Sequence, residues 1–566
     1  MFLPDNLQIN TWEDINPMYQ KLLNDNVLQV NEMIGWLHNR SDLEAFLEED
    51  LAWRYIKMSC NTADADLASH YSYFIEHIEP NIQQHGNLLD KKFLGFENLD
   101  QLSDIKYQML IREIKSKNEI YRDENLSLTA QMQLKEQAYG KIASEMSIEH
   151  NNEVLTLQKA ANFLRNKNED LRKDIYHKIN NRRLKDAESL DLLFDNLVKI
   201  RHQIALNAGF LNYRDYKFVE LSRFDYGVTD CINFHNSVEK VVMPLVHSIN
   251  KNKLKYFGAA TLKPWNTEFD IYGENPLQPF ENTRIMLDKT IACFNAIDPE
   301  FAGYLQTMDT KGYFDLDSRV GKAPGGFNYP LYKSDIPFIF MNASGNLRDL
   351  VTIVHEGGHA VHSFLSAQVQ LVPFKSFPSE VAELASMSME LITMEHWDLF
   401  FNNKQHLLRA KIEHLEGIIE VLPWIALIDS FQHKIYEQPQ LSTSERTDIW
   451  MSETKRFLDA SLDYSEHMAF LEIMWQKQLH IFEVPFYYIE YGFAQLGAIA
   501  IWKNYVANPK ETLQNYKKAL ALGYTKPINE IYETAGIPFN FSESYIKSLT
   551  TFVQEKLNNL YSQLQN

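Results

Sequence analysis

Val354-His355-Glu356-Gly357-Gly358-His359-Ala360-Val361-His362 is the stretch from which the rest of the chain is read. On an α-helix, positions four apart share a face, so His355 and His359 can offer ring nitrogens to one metal ion while Glu356 projects beside them. With 18 His in 566 residues, chance supplies only about 0.04 motifs of the form HExxH. Gly357 and Gly358 each cost a helix about 1 kcal/mol relative to Ala, so their presence asks for compensation from a metal clamp or a close helix contact. The stretch predicts a helix carrying a zinc hydrolase site.

A catalytic zinc takes three protein ligands and leaves the fourth position to water. Downstream of His359, a helix expected to begin near Pro378-Ser379 offers Glu380, Glu383, Glu390 and Glu395. Spacing alone does not choose among them.

Composition bounds the remaining possibilities. A chain of 566 residues exceeds what one core supports, so two lobes are expected. Gly (21) and Pro (19) are scarce, which favours long helices over a turn-rich β protein. The formal net charge of −20 argues against nucleic acid and anionic membrane surfaces as partners. Cys60, Cys231 and Cys293 are odd in number and far apart, so they read as reduced thiols and not as a disulfide framework or a cysteine-based zinc site. Met1-Phe2-Leu3-Pro4-Asp5 has no basic and apolar leader pattern, and no run reaches the roughly 18 to 20 apolar residues of a membrane span. A cytoplasmic protein is expected.

Along the chain, residues 1 to about 100 show aromatic-rich amphipathic patches such as Trp12 to Leu23 and Val30 to Leu37. Leu102, Ile105, Met109, Ile111 and Ile114 then form a helical stripe. The helical pattern is expected to break at Gly140. A β-hairpin is predicted near 142–158, turning at Asn151-Asn152, because an Asn pair tolerates the positive φ of a tight turn. The charge-dense Arg165 to Lys185 reads as a solvated helix face, and a lobe boundary is placed near residue 180. This gives a helical N-terminal lobe over 1–180 and a catalytic domain over 181–566. Tyr313 to Asp317 and Ile336 to Asn342 read as strands joined through the bend Gly321 to Phe327, with Pro337 suggesting an edge strand. An edge strand shortly before a catalytic helix could pair with an extended peptide. Phe338, Phe340, Asn342 and Gly345 are its candidate substrate contacts.

His355 to His359 followed by Glu383-Leu384-Ala385-Ser386-Met387-Ser388-Met389-Glu390 resembles the HExGH and ExxSxxxE pair of the thimet oligopeptidase family, and more closely its oligoendopeptidase F branch. Further similar stretches are Arg201 to Ala205, Asn212 to Tyr216, Gly321 to Phe327, Pro337 to Asn342 and Asp349 to Thr352. The resemblance spans about 140 to 540. It implies a mainly α, two-lobed, zincin-type metallopeptidase with a deep channel and a small β-sheet next to the HExxH helix. It further implies one Zn2+ held by His355, His359 and Glu383, with Glu390 and Asp349 orienting the ligands. His480 to Tyr491 also matches, which implies that His480, Tyr488 and Tyr491 face the scissile carbonyl, with Tyr487 an alternative to Tyr488. The glycine-rich loop that animal members carry after the His is absent.

The expected activity is hydrolysis of internal bonds in short unstructured peptides by zinc-activated water, with Glu356 as general base. A zinc carboxypeptidase on a related helical scaffold, or a silent peptide-binding protein, would share much of the same sequence pattern. Oligomeric state is not legible in the sequence.

Overall fold

The computed structural model describes every residue except Met1, Asp5, Asn6, Glu274, Val320, Pro324 and Asn566. Pro324 of the expected bend, and Met1 and Asp5 of the amino-terminal stretch, therefore lie outside the described residues. Among the described residues helices dominate, with one two-stranded and one three-stranded sheet. Among the described residues no helix is long and apolar enough to cross a membrane.

In chain order, α1 (Val30–Cys60) begins where the Glu32 carboxylate accepts the backbone N–H groups of Leu28 and Gln29, each at 2.9 Å. Its buried Met33, Trp36, Leu37 and Leu47 pack with Leu110, Ile111 and Ile114 of α2 (Ile105–Ile120) in one core. Of the stripe read from the sequence, Leu102, Ile111 and Ile114 lie in this core, whereas Ile105 is exposed. Helix α3 (Asn125–Ser144) runs through Gly140 without a break, correcting the expected interruption: one half-buried glycine costs a helix about 1 kcal/mol, too little to end it.

The hairpin forms as predicted, with shorter strands. β1 (Ser147–His150) pairs antiparallel with β2 (Glu153–Thr156), and Asn151 and Asn152 take φ of 52° and 64°. Helix α4 (Glu169–Asn207) opens on Asn168, whose side chain accepts from Leu171 N. Residue 180 falls inside this helix, because its charged first half and apolar second half are one continuous element. Nor is the charged half wholly solvated. Arg172 is buried and donates to Asn266 Oδ1 at 3.1 and 2.7 Å and to the Asn166 carbonyl at 2.6 Å.

Then follow α5 (Val228–Ser237), α6 (Thr283–Ile297) and a sheet of β3 (Phe314–Asp317), β4 (Phe327–Tyr329) and β5 (Phe338–Ala343) in the order β3-β5-β4. β5 is parallel to β3 and antiparallel to β4. It is thus the middle strand, and the expected edge is corrected. Pro337 stands just before the strand, where its missing N–H interrupts no ladder, and the buried run Phe338 to Met341 is what a central strand requires. Phe338 and Phe340 pack with Ala52, Ile56 and Leu331, so their side chains are core and not substrate contacts. Asn342 likewise serves the fold: its Nδ2 donates to the carbonyls of Ala323 (2.8 Å) and Gly325 (2.9 Å) and ties down the bend.

The remaining elements used below are α7 (Leu347–Ser366), α8 (Ser379–Thr393), α9 (Lys404–Glu437, with Pro423 inside it) and α10 (Ile489–Ala507). The chain divides into two compact units, each drawn from three separated stretches. The first comprises Met1–Asn118, Gln278–Leu407 and Gly497–Phe539; the second comprises Glu119–Leu277, Leu408–Leu496 and Asn540–Asn566. The three cysteines form no disulfide; Cys231 and Cys293 are buried and Cys60 is half-buried.

Candidate metal centre and active site

The HExxH stretch lies on α7, in the first unit. The helix is started by a dense cap: Asn346 Oδ1 accepts Asp349 N at 3.1 Å, and Asp349 Oδ2 accepts the backbone N–H groups of Ser344 (2.7 Å), Gly345 (2.8 Å) and Asn346 (3.1 Å). Gly345 supplies the φ of 95° that the turn needs. Asp349 thus spends its Oδ2 on the helix start, and Gly345 makes that same turn.

From α7, His355 and His359 project side by side, their rings 4.9 Å apart and nearly perpendicular. Across from them on α8, Glu383 Oε2 stands 3.3 Å from His355 Nε2 and 3.7 Å from His359 Nε2. One ligand atom from each residue lies within 4.8 Å of the others, so the three can hold a single cation. Two imidazole nitrogens and one carboxylate oxygen form a donor set that fits zinc and leaves a coordination position open. Of the four acids that spacing left undecided, Glu383 is the one grouped with the two imidazoles in this cluster. Glu390 Oε1 is 2.7 Å from His355 Nδ1, placing it behind the ligand, and Glu395 accepts Trp502 Nε1–H at 3.0 Å. Ser386, not singled out from the sequence, donates to Glu383 Oε2 at 2.9 Å and fixes its rotamer. The ExxS spacing was its signal.

Electrostatics follow from this packing. Burial presses the His355 imidazole down, but Glu383 and Glu390 outweigh it and lift the ring well above its ordinary range. Burial lowers His359 to about 4. For Glu383 burial works upward, yet His359, His355 and Ser386 pull it down to about 2, so it stays an anion. Glu356 is buried beside the imidazoles, and burial pushes it up to about 7 against the pull of His355. Its carbonyl accepts Asn328 Nδ2 from β4 at 3.1 Å. A carboxyl poised near neutrality can take up and return a proton at working pH.

The glycine pair has a steric cause. A Cβ on Gly358 would stand 2.6 Å from Ser386 Cα and 2.9 Å from the Ala385 carbonyl oxygen, and one on Gly357 would stand 2.6 Å from the Phe294 ring of α6. Only glycine lets α7 approach α8 closely enough for ligands on both helices to converge. Tyr516 and Tyr532 pin α8 from behind, donating to the carbonyls of Ala385 (2.8 Å) and Glu380 (2.9 Å).

His480, Tyr487, Tyr488 and Tyr491 belong to the second unit, where they form one aromatic cluster. The His480 ring centroid lies 4.7 Å from that of Tyr488, 5.9 Å from Tyr491 and 6.2 Å from Tyr487. Burial lowers His480 to about 4 and raises Tyr488 to about 12, so both are neutral at pH 7. Gln478 fixes the imidazole tautomer. Trp424 Nε1 can only donate, and it does so to Gln478 Oε1 at 2.8 Å; the amide nitrogen therefore faces His480 Nδ1 at 2.7 Å. Nδ1 must accept, so the proton sits on Nε2, which is available as a donor.

The segment is held by buried arginines. Arg201 donates to Tyr436 Oη (2.7 Å) and to the carbonyls of Ile481 (3.1 Å) and Phe482, and Arg223 donates to the Phe486 carbonyl and to Glu490 Oε1 (2.8 Å). Phe486 sits at φ 67°, a strained setting for a bulky residue, with its N–H bonded to Gln432 Oε1 at 3.0 Å. Gln478, Trp424 and Arg223 carried no sequence signal, because their roles depend on contacts between residues distant in the chain.

Residues 162–551 match the profile of Peptidase family M3, and residues 2–121 match the Peptidase M3 N-terminal domain. An oligoendopeptidase F homolog of Borreliella burgdorferi is 23% identical over 462 residues, covering 77% of this chain and 74% of that protein. Oligopeptidase PepF of Bacillus subtilis is 20% identical over 431 residues, 74% of this chain and 60% of that one. The fold is shared with PZ peptidase A in complex with inhibitor 2, at a TM-score of 0.89 and 24% identity over 99% of both chains. It is shared also with oligoendopeptidase-F from Enterococcus faecium, at a TM-score of 0.62 and 15% identity over 98% of this chain and 99% of that one. Since the family profile spans most of the sequence and encloses α7, α8 and their converging side chains, the chain belongs to peptidase family M3 and is a peptidase.

Proposed function

We propose that the chain is a zinc-dependent oligoendopeptidase that hydrolyses internal bonds of short unstructured peptides, with Glu356 as general base. The observation that supports this most directly is the convergence of His355 Nε2, His359 Nε2 and Glu383 Oε2, with Glu356 buried alongside. His355, His359 and Glu383 would hold the zinc, which when bound acts as a Lewis acid and lowers the pKa of water toward neutrality. Glu390 takes the Nδ1–H of His355, leaving the Nε2 lone pair for coordination. Glu356 accepts a proton at its carboxylate from the attacking water and returns it to the leaving amine, so one residue closes the proton balance. His480 Nε2–H and the hydroxyls of Tyr488 and Tyr491 are assigned to the carbonyl oxygen as it gains charge, an effect worth about 3 to 4 kcal/mol per donor in other hydrolases. In place of β5, the edge strand β4, whose Asn328 touches Glu356, is the strand on which an extended peptide would pair.

The test is a peptide-library digest read by mass spectrometry, with and without a chelator and beside a folded protein. Chelator-sensitive internal cleavage of peptides, with the folded protein intact, is expected. Removal of single terminal residues would replace this reading with a carboxypeptidase. Chelator-insensitive cleavage, or none from metal-replete protein, would overturn it.

A further inference from the structure

A second cluster of buried side chains has the make-up of a metal site, and it lies wholly within the second unit. Cys231 and His235 stand four apart on α5, and Asp429 and His433 four apart on α9, so each helix turns one pair to a common face. The ligand atoms of Cys231, Asp429 and His433 all lie within 4.8 Å of one another. His235 Nε2 is 2.8 Å from Asp429 Oδ2, and His433 Nε2 is 3.1 Å from the same oxygen. The two imidazoles meet edge to face at 5.7 Å. Cys231 and Asp429 are 0% exposed and His433 is 6% exposed, so solvent does not satisfy these groups.

Two observations point to a bound ion in place of an ordinary polar core. Asp429 Oδ1 and both ring nitrogens of His433 are buried without a hydrogen-bond partner, His433 Nε2 being near the carboxylate but poorly aligned with it. Each such buried orphan costs about 1–3 kcal/mol, and native interiors seldom keep several together. The second observation is charge balance. A dication with one thiolate and one carboxylate sums to zero, which is what a fully buried site tolerates. Sulfur, nitrogen and oxygen donors together suit a borderline-soft ion of the zinc type.

We propose that Cys231, Asp429 and His433 bind a divalent transition-metal ion of the zinc type, with His235 orienting the Asp429 carboxylate, at a structural site distinct from His355, His359 and Glu383. On binding, the Cys231 thiol releases its proton to solvent while Asp429 and His433 contribute lone pairs. The ion clamps α5 to α9. It also braces the turn before the tyrosine cluster: Gln432 holds Phe486 N at 3.0 Å, and the His433 ring meets the Phe486 ring edge-on at 5.3 Å.

The test uses the full chain, purified metal-replete, with metal content measured by plasma mass spectrometry and with cobalt exchanged for zinc. About two equivalents per chain are expected, falling to about one in Cys231→Ser and to about one in Glu383→Ala. The cobalt protein should show a thiolate-to-cobalt charge-transfer band in the ultraviolet. That band should vanish in Cys231→Ser and persist in Glu383→Ala, whose altered site holds no sulfur. If Cys231→Ser does not fold, the wild-type spectrum and the Glu383→Ala metal content decide alone. A cobalt-loaded wild type without the sulfur band, or a Glu383→Ala protein without metal, would overturn the proposal.

Discussion

Replacing Gly358 with alanine tests whether helix spacing sets the metal site. The added Cβ would stand 2.6 Å from Ser386 Cα, 2.9 Å from the Ala385 carbonyl oxygen and 3.1 Å from Met389 Cβ. The two nearest atoms are α8 backbone and cannot rotate away. Restoring ordinary contact therefore parts α7 from α8 by about 0.8 Å, since packed interiors have no slack to absorb it. His355 and His359 ride on one helix and Glu383 on the other, whereas ligand distances tolerate about ±0.2 Å. Overpacking costs about 1–3 kcal/mol and the better helix propensity of alanine returns about 1 kcal/mol. Net destabilisation is thus modest, about 0–2 kcal/mol, while metal affinity falls at least about tenfold, or 1.4 kcal/mol. Gly357→Ala is the control, because its Cβ meets the Phe294 side chain of α6, which can move without displacing α8. Zinc affinity by competition with a chromophoric chelator, beside thermal melts of both variants, separates the two effects. Wild-type affinity in Gly358→Ala, or an equal loss in Gly357→Ala, would refute the reasoning.

Four further outcomes are expected. Glu356→Gln should keep its metal by mass spectrometry and lose turnover by about 10²-fold or more; substantial residual hydrolysis would remove it as the base. Glu390→Ala should weaken metal binding about 10- to 100-fold by chelator competition, with Glu390→Gln, which still accepts from His355 Nδ1, closer to wild type. Gln478→Glu places an acceptor opposite His480 Nδ1, moving the proton there and stripping Nε2 of its hydrogen. Its kcat should drop about 10²-fold with little change in KM, and an unchanged kcat would dismiss His480 as a donor. His362 is buried without a hydrogen-bond partner, stacks on Phe377 at 3.6 Å, and is lowered to about 3 by burial. Because the unfolded chain takes up this proton near pH 6.5 and the folded chain does not, stability is whole above 6.5 and declines as pH falls toward 3. At pH 5 the deficit is about 2 kcal/mol. His362→Leu should lessen the difference between urea melts at pH 8 and pH 5 by that amount, and an unchanged difference would contradict it.

The local parts of this structure were legible in the sequence. His355, Glu356 and His359 follow from helical periodicity, the Asn151-Asn152 turn from its tolerance of positive φ, and the start of α8 from Pro378-Ser379. What escaped was set by distant partners. The position of β5 in the middle of its sheet depends on β3 and β4 pairing with it, and Pro337 looked like an edge signal because its place one residue outside the strand is invisible in one dimension. In the sequence the preference for Glu383 over Glu380 rests on resemblance alone, because the approach of α8 to α7 that groups Glu383 with the two imidazoles is a long-range contact. Cys231-x3-His235 and Asp429-x3-His433 use the same four-residue logic as the HExxH helix, but nearly 200 residues separate the two pairs, as the 194-residue interval between His235 and Asp429 shows. No periodicity could join them.

The threefold interleaving of each unit bears on biosynthesis. Helix α10 begins in the second unit and ends in the first, and the first unit gathers Gly497–Phe539 as its last stretch. As the ribosome delivers the chain, the amino-terminal helices and the paired helices α7 and α8 emerge long before Tyr516 and Tyr532, which fasten α8 from behind. The nascent peptidase therefore stays without its full scaffold until Tyr532 has been made, and a chain stalled short of that point would carry the HExxH helix on an unsupported frame.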